Sequence, residues 1–113
     1  MIASAAVETQ LLDAAEQLLP ELGRRRREID ELRHLPQDLA DKWAKLGFYR
    51  VVVPEALGGL GISPTAFCKL CEILATANGS TAGCIFIGAT SLYLFGALPT
   101  SQLQKMLQNP EVI

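Results

Sequence analysis

The chain has 113 residues, a formal net charge of −2 and three cysteines; half of its residues are apolar and only 6% are aromatic. That length supports one modest core and is too short for two ordinary domains. The charge gives no overall case for nucleic acid or an anionic membrane surface, and the wealth of Ala and Leu over β-branched and aromatic residues favours an all-α fold.

The N-terminal third reads as a long amphipathic helix capped by Ser4. Leu11, Leu12, Ala15, Leu18, Leu19 and Leu22 recur at helical spacing, with Ile29, Leu32 and Leu35 in a more charged continuation. Pro20 removes an amide donor and crowds the preceding turn, so a kink or break is expected there. The basic run Arg24 to Arg27 is followed by Glu28, Asp30 and Glu31, three or four residues away on the same helix. That pattern reads as a solvated, self-neutralised face rather than a nucleic-acid contact.

His34-Leu35-Pro36 punctuates the chain, and a second helix is expected near Pro36, burying Leu39, Trp43 and Leu46 and closed by Gly47 in a left-handed cap. FYRVVV, residues 48–53, is β-branched and aromatic but has no obvious partner strand, and reads as an extended, packed connector. PEALGGLGISP then marks a loop with unusual backbone angles. A third helix is expected from Ser63 as cap and Pro64 as first residue to about Ala77, with Phe67, Leu70, Cys71 and Leu74 inward and Lys69 and Glu72 outward. Asn78, Gly79 and Ser80 reverse the chain and cap a fourth helix over about Thr81 to Gly96. A last short helix follows Pro99 and Thr100 through Leu103, Met106 and Leu107 and stops at Asn109 and Pro110.

No Asp, Glu, Lys or Arg occurs from Ile73 to Gln104, so something must cover this run. Ala82 to Leu98 offers 17 residues interrupted by Gly83, Gly88 and Gly96, whereas a span takes about 20 predominantly apolar ones. Its flanks also lack Lys, Arg or Trp anchors, so the segment reads as a helix covered by protein and no membrane is expected.

Cys68, Cys71 and Cys84 form an odd set, and no signal-peptide pattern opens the chain, which points to the cytoplasm and to free thiols. The CxxC at Cys68 and Cys71 falls in a helix's second turn rather than at its N-terminus, and no second closely spaced pair completes a zinc set, so the thiols read as inert and partly buried. Gly58-Gly59-Leu60-Gly61 lacks both the Gly-Lys-Ser/Thr ending and the dinucleotide-type spacing, leaving a tight structural turn. No acid/base constellation, metal site or catalytic residue emerges from the spacing.

The punctuation of the chain from Arg33 onward resembles the N-terminal helical domain of the acyl-CoA dehydrogenase superfamily. The resembling elements are RHLPQDLADKWAKLGFYRVVVPEALGGLG and ATANGSTAGCIFIGATSLYLFG: the Leu35-Pro36 helix start, Leu46-Gly47-Phe48, Pro54 before Gly58-Gly59, and the turn into Ser80-Thr81. Within the superfamily, LLPELGRRRREIDELRHLPQDLADKWAKLGFYR is more similar to the two-component flavin-dependent aromatic monooxygenases than to the acyl-CoA oxidisers.

The resemblance implies a bundle of about five helices in an orthogonal or up-down arrangement, forming one helical domain over residues 1–113. The superfamily adds a middle β domain and a C-terminal four-helix bundle, binds flavin between those two, and is mostly homotetrameric. Both further domains are missing from these 113 residues, so the chain alone is expected to bind neither FAD nor FMN and to be catalytically silent. It would be a fragment, a truncated product or one subunit of a split enzyme, needing those domains in cis or trans and forming a homo-oligomer. The uncharged helix would wall the substrate and flavin pocket, with Thr81, Ile85, Gly88, Ala89 and Leu92 on one stripe; an apolar stripe serves equally as core. Departures are Leu57 where the family carries an aromatic, and Ala82-Gly83 and Thr90-Ser91 where the monooxygenase branch carries a Trp and a His. Substrate contacts of that histidine are not carried over. A free-standing helical dimerisation module without catalysis is the competing reading, motivated by the same charge-free run.

Overall fold

The structure is a computed structural model, described for residues 5–94 and 98–108, with the side chain of Tyr93 left out. Six α-helices and two short 3-10 turns make up these residues, and no strand occurs among them: α1 (Ala5–Arg24), α2 (Arg26–Leu32), α3 (Gln37–Lys45), α4 (Pro64–Ala77), α5 (Gly79–Leu94) and α6 (Thr100–Leu107). The all-α expectation holds. The sixth helix arises because the N-terminal segment is divided, though not at Pro20.

α1 runs through Pro20 without interruption, and the division falls at Arg25. Pro20 is exposed, so the carbonyl deprived of its amide partner can turn to water, while Leu11, Ala15, Leu18 and Leu22 remain on one buried stripe. The ladder itself nearly persists across the division, with the Arg25 amide donating to Glu21 and the Ile29 amide to Arg25, both at 3.0 Å. α2 ends where Arg33 adopts a left-handed conformation, φ 60°, its amide closing on the Ile29 carbonyl. Ser4 and Asn109-Pro110, expected as a cap and a stop, lie outside the described residues.

α3 follows Pro36 and buries Leu39 and Trp43, and Gly47 at φ 78° turns the chain away, both as the sequence implied. Leu46, expected inside, is exposed. The 48–53 segment is packed but not extended: Phe48–Arg50 forms a 3-10 turn and Val51 is helical. Phe48, Tyr49, Val51 and Val53 are all buried, and Phe48 stacks on Trp43 with ring centroids 5.7 Å apart. A strand needs a neighbour to satisfy its amides, and here coiling satisfies them locally instead. The glycine-rich turn then folds back on this segment: Leu60 donates to Arg50, Gly61 to Val53 and Ile62 to Val51. Gly59 is required there, because a Cβ on it would meet the Val53 carbonyl oxygen at 2.1 Å.

Ser63 caps α4, its Oγ accepting from the Ala66 amide at 3.2 Å with Pro64 in the first turn, and its own amide donates to Glu8 on α1. α4 lies between α1 and α5, presenting Phe67, Leu70 and Leu74 to the core, while Cys71 is half-buried. α5 begins at Gly79, two residues earlier than expected, because Asn78 both ends α4 and opens α5: its amide donates to Leu74 and its Oδ1 accepts from the Thr81 amide at 2.7 Å. The main core joins α1, α3, α4, α5 and the 3-10 turn; a smaller cluster of Val53, Leu92, Leu103 and Leu107 seats α6 at the far end. Arg50 Nη1 donates to the Leu107 carbonyl and ties α6 to the 3-10 turn.

Candidate functional site

α5 carries no charged residue, so its two faces differ by what touches them rather than by polarity. One stripe is buried: Thr81, Ile85 and Ala89 have no exposed surface, and Gly88 and Leu92 are also buried. Ile85 and Ala89 belong to the main core, where α5 meets α4 and the 3-10 turn. Small residues at 88 and 89 let backbones approach closely, which is how a helix without a polar face can be clamped in place. Leu92 belongs to the smaller cluster and lines a cavity of about 310 Å³ with Val53, Pro54, Leu57 and Leu103.

The opposite stripe is bare. Phe86 is 49% exposed, Ile87 65% and Leu94 73%, a concentration of open apolar surface on one helix. Its hydroxyls are turned inward: Thr90 Oγ1 donates to the Phe86 carbonyl at 2.8 Å and Ser91 Oγ to the Ile87 carbonyl at 2.7 Å. Both groups thereby spend their donors on the helix, and the face they share with Ile87 stays apolar. Phe86 is steadied from below by Phe67 of α4, the rings stacked at 5.7 Å.

Spacing alone selects a stripe but not its direction, so the sequence singled out Thr81, Ile85, Gly88, Ala89 and Leu92 and passed over Phe86, Ile87 and Leu94. The small residues at 88 and 89 were the available signal, since small side chains belong where helices approach closely. The thiols also divide differently from the expectation: Cys68 and Cys84 are exposed, Cys71 is half-buried, and all three are free. Burial pushes the Cys71 thiol up, with the Cys68 thiol adding to it. Among the described residues no cluster of His, Cys, Asp or Glu could hold a metal ion, and no helix is long and apolar enough to cross a membrane.

The Ser-Thr turn that opens α5 and the Pro-Gly-Gly fold-back before α4 both lie within a match to one known family. Residues 6–108 match the acyl-CoA dehydrogenase, N-terminal domain. The chain belongs to that family. It is 39% identical over 87 residues to indole-3-acetate monooxygenase of Acinetobacter baumannii, covering 76% of this chain and 22% of that protein. The enzyme of the same name from Pseudomonas putida is 37% identical over 82 residues, 73% of this chain and 21% of the relative. The flavin-dependent monooxygenase oxygenase subunit HsaA of Rhodococcus jostii is 39% identical over 72 residues, 64% and 18% respectively. The chain thus spans about a fifth of the length of these relatives. No solved structure matches it significantly.

Among the described side chains the outward face of α5 is apolar, which would suit a planar ring, and it carries no charged residue that would pair with a phosphate. Thr90 and Ser91 spend their hydroxyl donors on backbone carbonyls of the same helix.

Proposed function

We propose that this chain is the N-terminal helical domain of a flavin-dependent oxidoreductase of the aromatic-monooxygenase kind, with α5 as one wall of the pocket for substrate and flavin. The observation that carries this reading is the open stripe of Phe86, Ile87 and Leu94 on a chain whose match covers 22% of a monooxygenase. Thr81, Ile85, Gly88, Ala89 and Leu92 would set the wall's position from behind, with Leu92 reaching its edge at the cavity beside α6. FAD or FMN would be bound by a β domain and a C-terminal helical domain supplied in cis or in trans, in a cytoplasmic homo-oligomer. When bound there, reduced flavin supplies the chemistry that activates oxygen for hydroxylation. The residues of this chain exclude water and orient the ring; none of them moves a proton.

The test is complementation. The Acinetobacter baumannii relative lacking its own N-terminal domain is co-expressed with this chain, and indole-3-acetate-dependent oxygen uptake is measured. Uptake above that of the truncated relative alone supports the reading; no gain, from a soluble and folded pair, sinks it. The competing reading, a helical dimerisation module without catalysis, draws on the same exposed stripe and predicts a stable dimer of the isolated chain in sedimentation.

A further inference from the structure

The CxxC of α4 has no part in the apolar face of α5. Its two thiols sit three residues apart on one helix, so they face the same side of α4 with Cβ atoms about 5 to 6 Å apart. Their surroundings differ. Cys68 is exposed, whereas Cys71 is half-buried and packs against the main core. Burial raises the Cys71 thiol, with Cys68 adding to it, which leaves Cys68 as the sulfur that meets an oxidant first. A disulfide needs Cβ atoms about 3.8 Å apart, so bridging the pair tightens one turn of α4 by about 1 to 2 Å. Strained bridges of that kind are readily reduced, which suits a reversible change better than structural reinforcement. Phe67, next to Cys68, carries the ring stacked on Phe86 at 5.7 Å, and Leu70, between the two thiols, is fully buried. A tightened turn therefore moves the ring on which Phe86 of the bare stripe rests.

We propose that Cys68 and Cys71 form a peroxide-sensitive dithiol switch, closing to an intrahelical disulfide that shifts the Phe67–Phe86 stack. In the first step the Cys68 thiol loses its proton to solvent and its sulfur attacks one oxygen of hydrogen peroxide. The O–O bond breaks, hydroxide leaves and takes up a proton, and a sulfenic acid remains on Cys68. In the second step Cys71 loses its proton and its sulfur attacks Cys68 Sγ; the S–O bond breaks and the hydroxyl departs with a proton as water. Two thiols and one peroxide thus become one disulfide and two waters, with the sulfurs oxidised and the peroxide oxygens reduced. Cys84 is the internal control, being exposed on α5 beside a cavity that neither thiol of α4 lines. The switch stands apart from the proposed function, because none of its readouts uses flavin or substrate.

The reduced chain is treated with hydrogen peroxide, remaining thiols are blocked with iodoacetamide, and cleavage after Lys69 and Glu72 places Cys68, Cys71 and Cys84 on separate peptides for mass measurement. The expected product joins the Cys68 and Cys71 peptides, is reversed by dithiothreitol, and leaves Cys84 alkylated. Cys71→Ser should abolish that link and stop the reaction at a Cys68 sulfenic acid, which dimedone captures. In nuclear magnetic resonance spectra of the wild-type chain, the ring signals of Phe67 and Phe86 should shift when the bridge forms. A link through Cys84, a Cys68 driven to sulfinic acid while Cys71 stays alkylatable, or Phe67 and Phe86 signals unmoved in the bridged chain would overturn the proposal.

Discussion

Arg25 grips Asp38 with both arms of its guanidinium, at 2.6 and 2.9 Å, and so fastens the division between α1 and α2 to the first turn of α3. The same guanidinium takes Glu28 at 2.8 Å, while Glu21 reaches Lys42 on α3 at 2.7 Å. This network was half legible: the Glu28 partner is three residues along one helix, whereas Asp38 and Lys42 come from another.

The network makes stability depend on acid. Lys42 holds the Glu21 carboxyl below its usual range, and Arg25 does the same for Glu28 and Asp38. A depressed folded pKa contributes stability that is complete above the unfolded values, 4.5 for Glu and 3.8 for Asp, and is lost as pH falls through the folded ones. Thermal melts of wild type and Arg25→Gln should therefore differ at pH 6 and converge below about pH 3. A difference that stays constant through that range would show the network to be inert.

At the alkaline end the sign reverses. Burial pushes Tyr49 from 10.0 up to about 12, with Cys84 adding to the effect. A raised folded pKa gives stability that is complete below the unfolded value and lost as pH rises through the folded one. Tyr49→Phe should flatten the loss of stability between pH 10 and 12, followed by chemical denaturation at fixed temperature.

Two glycines separate steric need from helix propensity. Gly59→Ala places a Cβ 2.1 Å from the Val53 carbonyl oxygen and should cost about 2 to 4 kcal/mol in urea unfolding. Gly83→Ala meets nothing within 4 Å inside α5 and should stabilise by about 0.5 to 1 kcal/mol. The reverse order would show that the fold-back of the glycine turn on Val53 is misplaced.

Asn78 is 4% exposed and serves two helices at once. Asn78→Ala deletes the acceptor for the Thr81 amide and should cost about 1 to 2 kcal/mol, while Asn78→Asp, which keeps the oxygen, should recover part of the loss. Equal losses in calorimetry would remove the cap from the account.

Trp43 is fully buried, yet among the described residues its Nε1 has no hydrogen-bond partner. Truncation to Ala opens a cavity and should cost about 3 to 5 kcal/mol. Trp43→Phe keeps most of the volume and discards the unsatisfied donor, so a loss under about 2 kcal/mol is expected from far-ultraviolet dichroism melts.

Residue order by itself determined the all-α class, the stops at Pro36 and Gly47, the Ser63 and Asn78 caps and the family, because each rests on local chemistry: a ring that fixes φ, a residue without Cβ, an oxygen within reach of an amide. Tertiary structure alone decided that the helix passes through Pro20 and that Phe48 to Val53 coils instead of extending. It also decided which face of α5 is left bare. A helix with no charged residue has no polar side to point at water, so its orientation is set by which neighbours its small residues can approach, and those neighbours are distant in the chain.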